Sequence, residues 1–345
     1  MKKSTSLLMS IGFALALTAC AGGTRTTTNE GSSASPAPAA PAASEAKSQE
    51  KYPTKPINLI IAYAAGGGTD VGARMLMPYV EKELGVPINI INKPGGGGWV
   101  GWTELANAKP DGYTIGYINT PNLMTGYLDP KQKRKESLDS FTTLANHITD
   151  PGAIAISKDE KRFTDITSLI EYAKKNALTA TSTGVGSDDH FASLKLNKAF
   201  GTKFTAVQNG GAAESQAAVL GGHVDVLFAN VGELTTLHKN GEIKIVGVMT
   251  DQRSPFLPDV PTLDESGFKG ITSWSARGLA APKGLDPEKA KILNAALEKG
   301  INNAEQVKKQ GESGLQVDYK SGQDYADLLK KDEQGVIDLK DLMGW

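Results

Sequence analysis

Three short stretches of the sequence carry residue types whose spacing can do chemistry. The first is Gly66-Gly67-Gly68-Thr69-Asp70, which follows an apolar run and precedes a helix-like segment. Glycines there let backbone N–H groups face a ligand without an intervening side chain, and Thr69 or Asp70 can cap the helix that follows. A helix N-terminus with free N–H groups holds anions. The second is Thr183-Gly184-Val185-Gly186-Ser187-Asp188-Asp189-His190, which repeats that chemistry later in the chain. Two such loops facing each other across a cleft would hold the two ends of a small anion. The third contains Gly96, Gly98 and Gly101 in a G-x-G-x-x-G spacing. It follows the second strand of its unit rather than the first. The acid that would bind a ribose about 20 residues on is missing, because that strand ends in Asn119-Thr120-Pro121. A dinucleotide site is therefore not expected.

Catalytic and metal readings have less support. Ser187 and His190 stand three apart, a spacing open to a nucleophile and its base, but there is no G-x-S-x-G elbow and no evident orienting acid. His190 is read instead as a residue that orients the loop or contacts the ligand. His147, His190, His223 and His238 show no metal-ligand spacing among themselves or with Cys20. We expect no catalytic residue, no metal and no cofactor.

The elements that must position these loops alternate regularly. Ile57–Ala62, Ile88–Ile91 and Tyr113–Ile118 read as buried strands, with helices over Asp70–Leu84 and Val100–Ala108 between them. After Pro151 come strands at Ala153–Ile156, Leu178–Ser182, Lys203–Val207, Val224–Phe228 and Ile243–Val248. Helices are expected at 166–176, 191–200 and 213–220. Alternation of this kind predicts parallel sheets with crossover helices, here two α/β units in series, with ligands at the carboxyl ends of the strands.

Ahead of these units, Lys2 and Lys3 precede an apolar stretch from Leu7 to Leu17, the layout of a secretory signal peptide and too short for a permanent membrane span. Leu17-Thr18-Ala19-Cys20 resembles a bacterial lipobox, in which the cysteine is lipidated; Cys20 is the sole cysteine of the chain. Residues 1–19 are thus expected to be a lipoprotein signal peptide. Residues 20–50, rich in Ser, Thr, Pro, Ala and Gly, are expected to be a disordered tether behind the lipid. Lys and Arg number 37 against 38 Asp and Glu, a net charge of −1, which argues against a nucleic-acid binder. The one basic cluster, Lys131 to Lys135, reads as a solvated loop.

Several stretches together resemble one family, the extracytoplasmic solute receptors of tripartite tricarboxylate transporters, often called Bug receptors. They are Tyr52 to Ile57, Tyr63 to Asp70, Asn92 to Gly95, Lys109 to Thr114, Gly184 to His190, Asn209 to Ala212, Gly221 to Val226 and Arg253 to Thr262, in the family order across nearly the whole mature body. The resemblance implies an α/β, two-lobed periplasmic-binding-protein fold of the type II kind. Each lobe would be a mainly parallel sheet flanked by helices, with residues 51–150 and 276–345 in one lobe and 151–275 in the other. It implies ligand contacts from Tyr63, Ala64, Gly67, Thr69 and Asp70 on one jaw and from Thr183, Gly184, Gly186, Ser187 and His190 on the other, with Asn230 added. Ala65 departs from the proline usual in the family, and neither loop carries Arg or Lys, leaving Arg74 as the one nearby cation.

The expected function is a non-enzymatic receptor that captures a small di- or tricarboxylate, or a related organic acid, and delivers it to the membrane permease subunits of such a transporter. Membrane contact would run through the N-terminal lipid alone, at the outer face of the cytoplasmic membrane, with a Gram-positive surface favoured over a periplasmic lipoprotein. Two alternatives stay open at this point: a sensory receptor of the same fold serving a two-component system, and an exported hydrolase using Ser187 and His190.

Overall fold

The computed structural model describes residues 51–345. The signal peptide, Cys20 and the tether lie outside these residues.

The first strands and helices form where the apolar alternation places them: β1 (Ile57–Ile61), α1 (Gly68–Leu84), β2 (Ile88–Asn92), α2 (Trp99–Ala106) and β3 (Thr114–Thr120), followed by a helix the alternation does not indicate, α3 (Asn122–Leu128). Then follows β4 (Phe141–Ser157), a strand of 17 residues that extends the expected Ala153–Ile156 segment far toward the N-terminus. Next come α4 (Ile166–Lys175), β5 (Leu178–Thr181), α5 (Asp188–Phe200), β6 (Phe204–Ala206), α6 (Ala212–Leu220), β7 (Val226–Asn230), α7 (Val231–Lys239) and β8 (Ile243–Val248). The chain closes with β9 (Trp274–Pro282), α8 (Pro287–Ile301), α9 (Ala304–Glu312), β10 (Val317–Ser321) and α10 (Gly322–Asp338).

The pairings β1–β2, β1–β3, β5–β6 and β5–β7 are parallel, as strands joined by crossover helices must be. Two long antiparallel strands run through the middle. β9 lies between β3 and β4, in register from Phe141↔Pro282 to Pro151↔Trp274. The remainder of β4 continues into the other half, where it pairs with β7 on one side and β8 on the other. The register shifts within β4, at Thr143/Ala145 and Asn146/Ile148, bend the strand where it carries polar residues.

Each half of the sheet is covered by helices on both faces, and the apolar residues of its strands pack against them. On one face of the first half, Leu76, Met77 and Val80 of α1 and Leu293, Leu297 and Ile301 of α8 pack on Leu59 and Ile115. The opposite face buries Trp99 and Trp102 of α2 with Tyr325 and Leu329 of α10. Trp102 is fully buried, and its indole N–H donates to the Tyr117 carbonyl at 2.9 Å, so its polar atom does not go unpaired. In the second half, Ile166, Leu169 and Ile170 of α4 cover one face and Val231 and Leu234 of α7 the other. Truncating such a leucine to alanine costs about 2–5 kcal/mol.

Candidate functional site

The turns after β1, β3 and β5, the start of α6, the junction of β7 and α7, and the first residues of β9 converge on one cavity of about 140 Å³. Its walls include Tyr63, Ala64, Gly67 and Thr69 from the first loop, Thr183 and Asp188 from the second, and Asn230. Asn119, Glu233, Ser275 and Arg277 also line it, as does the Gly210–Glu214 turn.

Two helices present bare N-termini here. α1 begins after Gly67 and α6 after Gly211, and neither first turn is capped by a side chain. Their N–H groups and the positive end of each helix dipole therefore face the cavity. Thr69 is held in place by Asn119, whose amide donates to its Oγ1 at 2.7 Å.

Several expected site residues do not line this cavity. The buried Asp70 accepts hydrogen bonds from the Gly66 N–H and Arg74 Nε at 2.9 Å each, and its second oxygen takes the Asn92 amide at 2.9 Å. Burial pulls its pKa upward, but the bonds from Arg74, Gly66 and Asn92 outweigh that and hold it below the ordinary carboxylate range. Asp70 thus ties the glycine loop to β2. Arg74, half-exposed, is spent on this pair. Ser187 Oγ accepts from the His190 N–H at 3.1 Å and caps α5, while His190 Nδ1 accepts from the Gly186 N–H at 3.1 Å. Both side chains are engaged with the backbone of their own loop, an arrangement that shapes the loop and leaves no Ser–His bond of a nucleophile and base. Gly184 faces the neighbouring groove, with Trp99, Arg134 and Trp345.

The strongest electrostatic feature was absent from the sequence reading. Arg277, 2% exposed, projects from β9 into the cavity. Its Nη2 donates to Asn230 Oδ1 at 3.0 Å and pairs with Asp150 at 3.0 Å and Glu233 at 3.3 Å. Its Nη1 has no partner among the described residues. Burial works against the charge on Arg277, but the surrounding carboxylates, Asp150 and Glu233 foremost, outweigh it and raise its pKa. The acids respond in kind. Burial pushes Asp150 up to about 7 against the pull of Arg277, and burial raises Asp188 as well, opposed by the Asn230 amide at 2.7 Å. The legible signal for Arg277 was a lone cation inside the apolar run Ala276 to Ala281.

Among the described residues no group of His, Cys, Asp and Glu is arranged to hold a metal ion, and no helix is long and apolar enough to cross a membrane.

A sequence model described as "Tripartite tricarboxylate transporter family receptor" matches residues 73–338. A relative from Cupriavidus necator, described as "UPF0065 protein in gbd 5'region", is 31% identical over 308 residues, covering 86% of this chain and 91% of that protein. Among solved structures, the periplasmic binding protein BugD superimposes with a TM-score of 0.78 at 29% identity, over 84% of this chain and 98% of its own. MatC from Rhodopseudomonas palustris with bound malate gives a TM-score of 0.75 at 26% identity, over 82% and 98%. The fold is accordingly the two-lobed α/β fold of these binding proteins.

Proposed function

This chain belongs to the receptor family of tripartite tricarboxylate transporters, and from that premise we propose that it captures a small organic carboxylate in the Arg277 cavity and hands it to the permease subunits of such a transporter. The observation that carries this reading is the convergence of two uncapped helix N-termini and an unpartnered, buried guanidinium nitrogen on one cavity. All three are hydrogen-bond donors that favour negative charge. Malate in the related MatC supports the ligand class.

Residues 51–150 and 276–345 form one lobe in this proposal and 151–275 the other, a division supported by β4, whose first part pairs with β9 in one half of the sheet and whose last residues pair with β7 and β8 in the other. Tyr63, Ala64, Gly67, Thr69, Thr183 and Asn230 contact the ligand together with Arg277. Asp70, Gly184, Gly186, Ser187 and His190 set the shape of the two loops. Ligand bound to both jaws stabilises the closed state, and the permease recognises that state. The protein performs no catalysis. It is exported and held at the outer face of the cytoplasmic membrane by lipid on Cys20, a reading supported by the Leu17-Thr18-Ala19-Cys20 sequence.

A thermal-shift screen of the full chain against di- and tricarboxylates, aromatic acids, amino acids and neutral sugars tests the proposal. A ligand at about 100 times its Kd adds about 2.7 kcal/mol, a shift of a few degrees for a body this size. Saturable stabilisation by an organic acid is the expected result; stabilisation by a neutral solute alone refutes it.

A further inference from the structure

Asp188 is the one residue common to the walls of the Arg277 cavity and of a separate groove, which has about 490 Å³ where the cavity has about 140 Å³. Its carboxylate accepts from the Asn230 amide in the cavity wall at 2.7 Å, and its backbone carbonyl accepts from Ser273 Oγ in the groove wall at 3.1 Å. The glycines of the two loops take no part in the groove. Phe191 and Lys195 of α5 line it, with Trp274 of β9 and Asp332, Gly335 and Leu339 at the end of α10. Its remaining acids are engaged: Asp332 accepts from Thr120 Oγ1 and from the Trp274 indole N–H at 3.1 Å, and Asp338 accepts from the Gln334 amide at 2.8 Å. Lys195 is not. Its Nζ donates to the Thr272 carbonyl at 3.0 Å, its one hydrogen-bond partner among the described residues, which leaves two N–H donors to spare. Gly335 lies inside α10, yet a Cβ there would meet nothing within 4 Å, and no positive φ calls for glycine. Glycine weakens a helix relative to alanine. Here its missing side chain leaves the groove open.

We propose that this groove is a second binding site, for a monocarboxylate with an extended apolar body, its carboxylate on Lys195 Nζ and its body along Phe191, Trp274 and Leu339. The carboxylate takes the two spare donors in charge-assisted hydrogen bonds. Burial presses the Lys195 ammonium below the ordinary lysine range, with the charge of Asp188 opposing, and a bound anion relieves that pressure. The apolar body removes the exposed faces of these side chains from water. A second carboxylate on the same ligand would run toward Asp332 and Asp338, so the groove selects one charge where the Arg277 cavity offers donors from several sides. The groove is independent of the receptor reading above, because it uses neither glycine loop nor Arg277.

Isothermal titration of the full chain with octanoate tests the assignment, with octan-1-ol as the uncharged control and acetate as the control without a body. Octanoate is expected to bind saturably, at least about tenfold more tightly than either control. Lys195→Met should weaken octanoate by at least about tenfold and bring it level with octan-1-ol. Gly335→Leu fills the groove from a position with room for a side chain and favours the helix, so it should fold and lose octanoate binding even if Lys195→Met does not fold. Gly68→Ala, which disturbs only the Arg277 cavity, should leave octanoate affinity unchanged. Absence of octanoate binding, or octan-1-ol binding as tightly, overturns the proposal. So does octanoate binding that survives Gly335→Leu and is lost in Gly68→Ala, a result that would place octanoate in the Arg277 cavity and leave the receptor reading standing.

Discussion

Arg277 and Gly68 are packed so closely that a Cβ placed on Gly68 would lie 2.4 Å from Arg277 Nη1. The backbone of α1 can approach the guanidinium only because residue 68 has no side chain. In Gly68→Ala the guanidinium has to move, and Asp150, Asn230 and Glu233 hold it from the far side. Ligand affinity should fall by at least about tenfold, while the fold persists because alanine favours the helix by about 1 kcal/mol. Titration calorimetry beside a melting curve separates the two effects.

Removal of the cation itself should damage the fold. Arg277→Gln leaves Asp150 and Glu233 buried without their shared partner, a type of change that costs about 3–5 kcal/mol. Chemical unfolding of the ligand-free variant at pH 7 measures it, and a loss under about 1 kcal/mol would show that the cluster contributes little net stability.

Asp150 should make stability depend on pH in an unusual direction. Its folded pKa stands near 7 because burial outweighs the pull of Arg277, above the ordinary value of 3.8. Between those two values the folded state holds a proton that the unfolded state has released, so the stability Asp150 contributes is present at low pH and lost as pH rises toward 7. Arg277, Glu233, Asp188 and the Gly232 N–H all face this carboxyl. Asp150→Asn, which cannot ionise, should gain on the native protein as pH goes from 5 to 8, as read from paired unfolding curves. His147, held neutral by burial, runs the other way in both proteins and cancels in the comparison.

Thr125 and Gly186 meet across the mouth of the site. Thr125 Oγ1 donates to the Gly186 carbonyl at 2.8 Å, and a Cβ on Gly186, whose φ is +76°, would lie 2.0 Å from Thr125 Cγ2. In the proposed lobe division this bond joins the jaws, so Thr125→Val should weaken ligand binding about fivefold for a bond worth about 1 kcal/mol. The change should appear in the dissociation rate, by stopped-flow fluorescence, with the association rate unaltered.

Lipidation is tested at one position. Cys20→Ser should release the protein from the membrane fraction into the soluble exported fraction, without altering ligand affinity in calorimetry. Retention on washed membranes would remove Cys20 as the anchor.

The sequence was most legible where apolar runs are continuous. β1, β2, β5 and β8 lie within a residue or two of their expected positions, because each is a short run rich in Ile, Leu, Val or Ala set between turn and helix segments. The front of β4 was hidden because Thr142, Thr143, Asn146, His147, Thr149 and Asp150 break that signature, and its bulges break the period. The two glycine loops were recognised and several of their residues reach the cavity. Asp70 and Ser187 are expected among the ligand contacts and His190 as a loop-orienting or ligand-contacting residue, and the side chains of all three are committed to hydrogen bonds that hold the loops in place. Nothing local distinguishes an Asp or Ser that contacts a ligand from one that fastens its own turn. Arg277 lay outside any motif, and its partners Asp150, Asn230 and Glu233 come from two other segments, so only the folded chain brings the charge to the cavity.

The position of β9 imposes an order on the birth of the molecule. β9 seats between β3 and β4, yet it is made only after everything from Ala153 to Ser273 has been synthesised. The nascent chain therefore carries β1 to β3 as an unfinished half-sheet while β5 to β8 and their helices can already assemble. The apolar edge of β3, with Ile115, Tyr117 and Ile118, stays open throughout that interval and is the segment on which a chaperone or a premature aggregate would act.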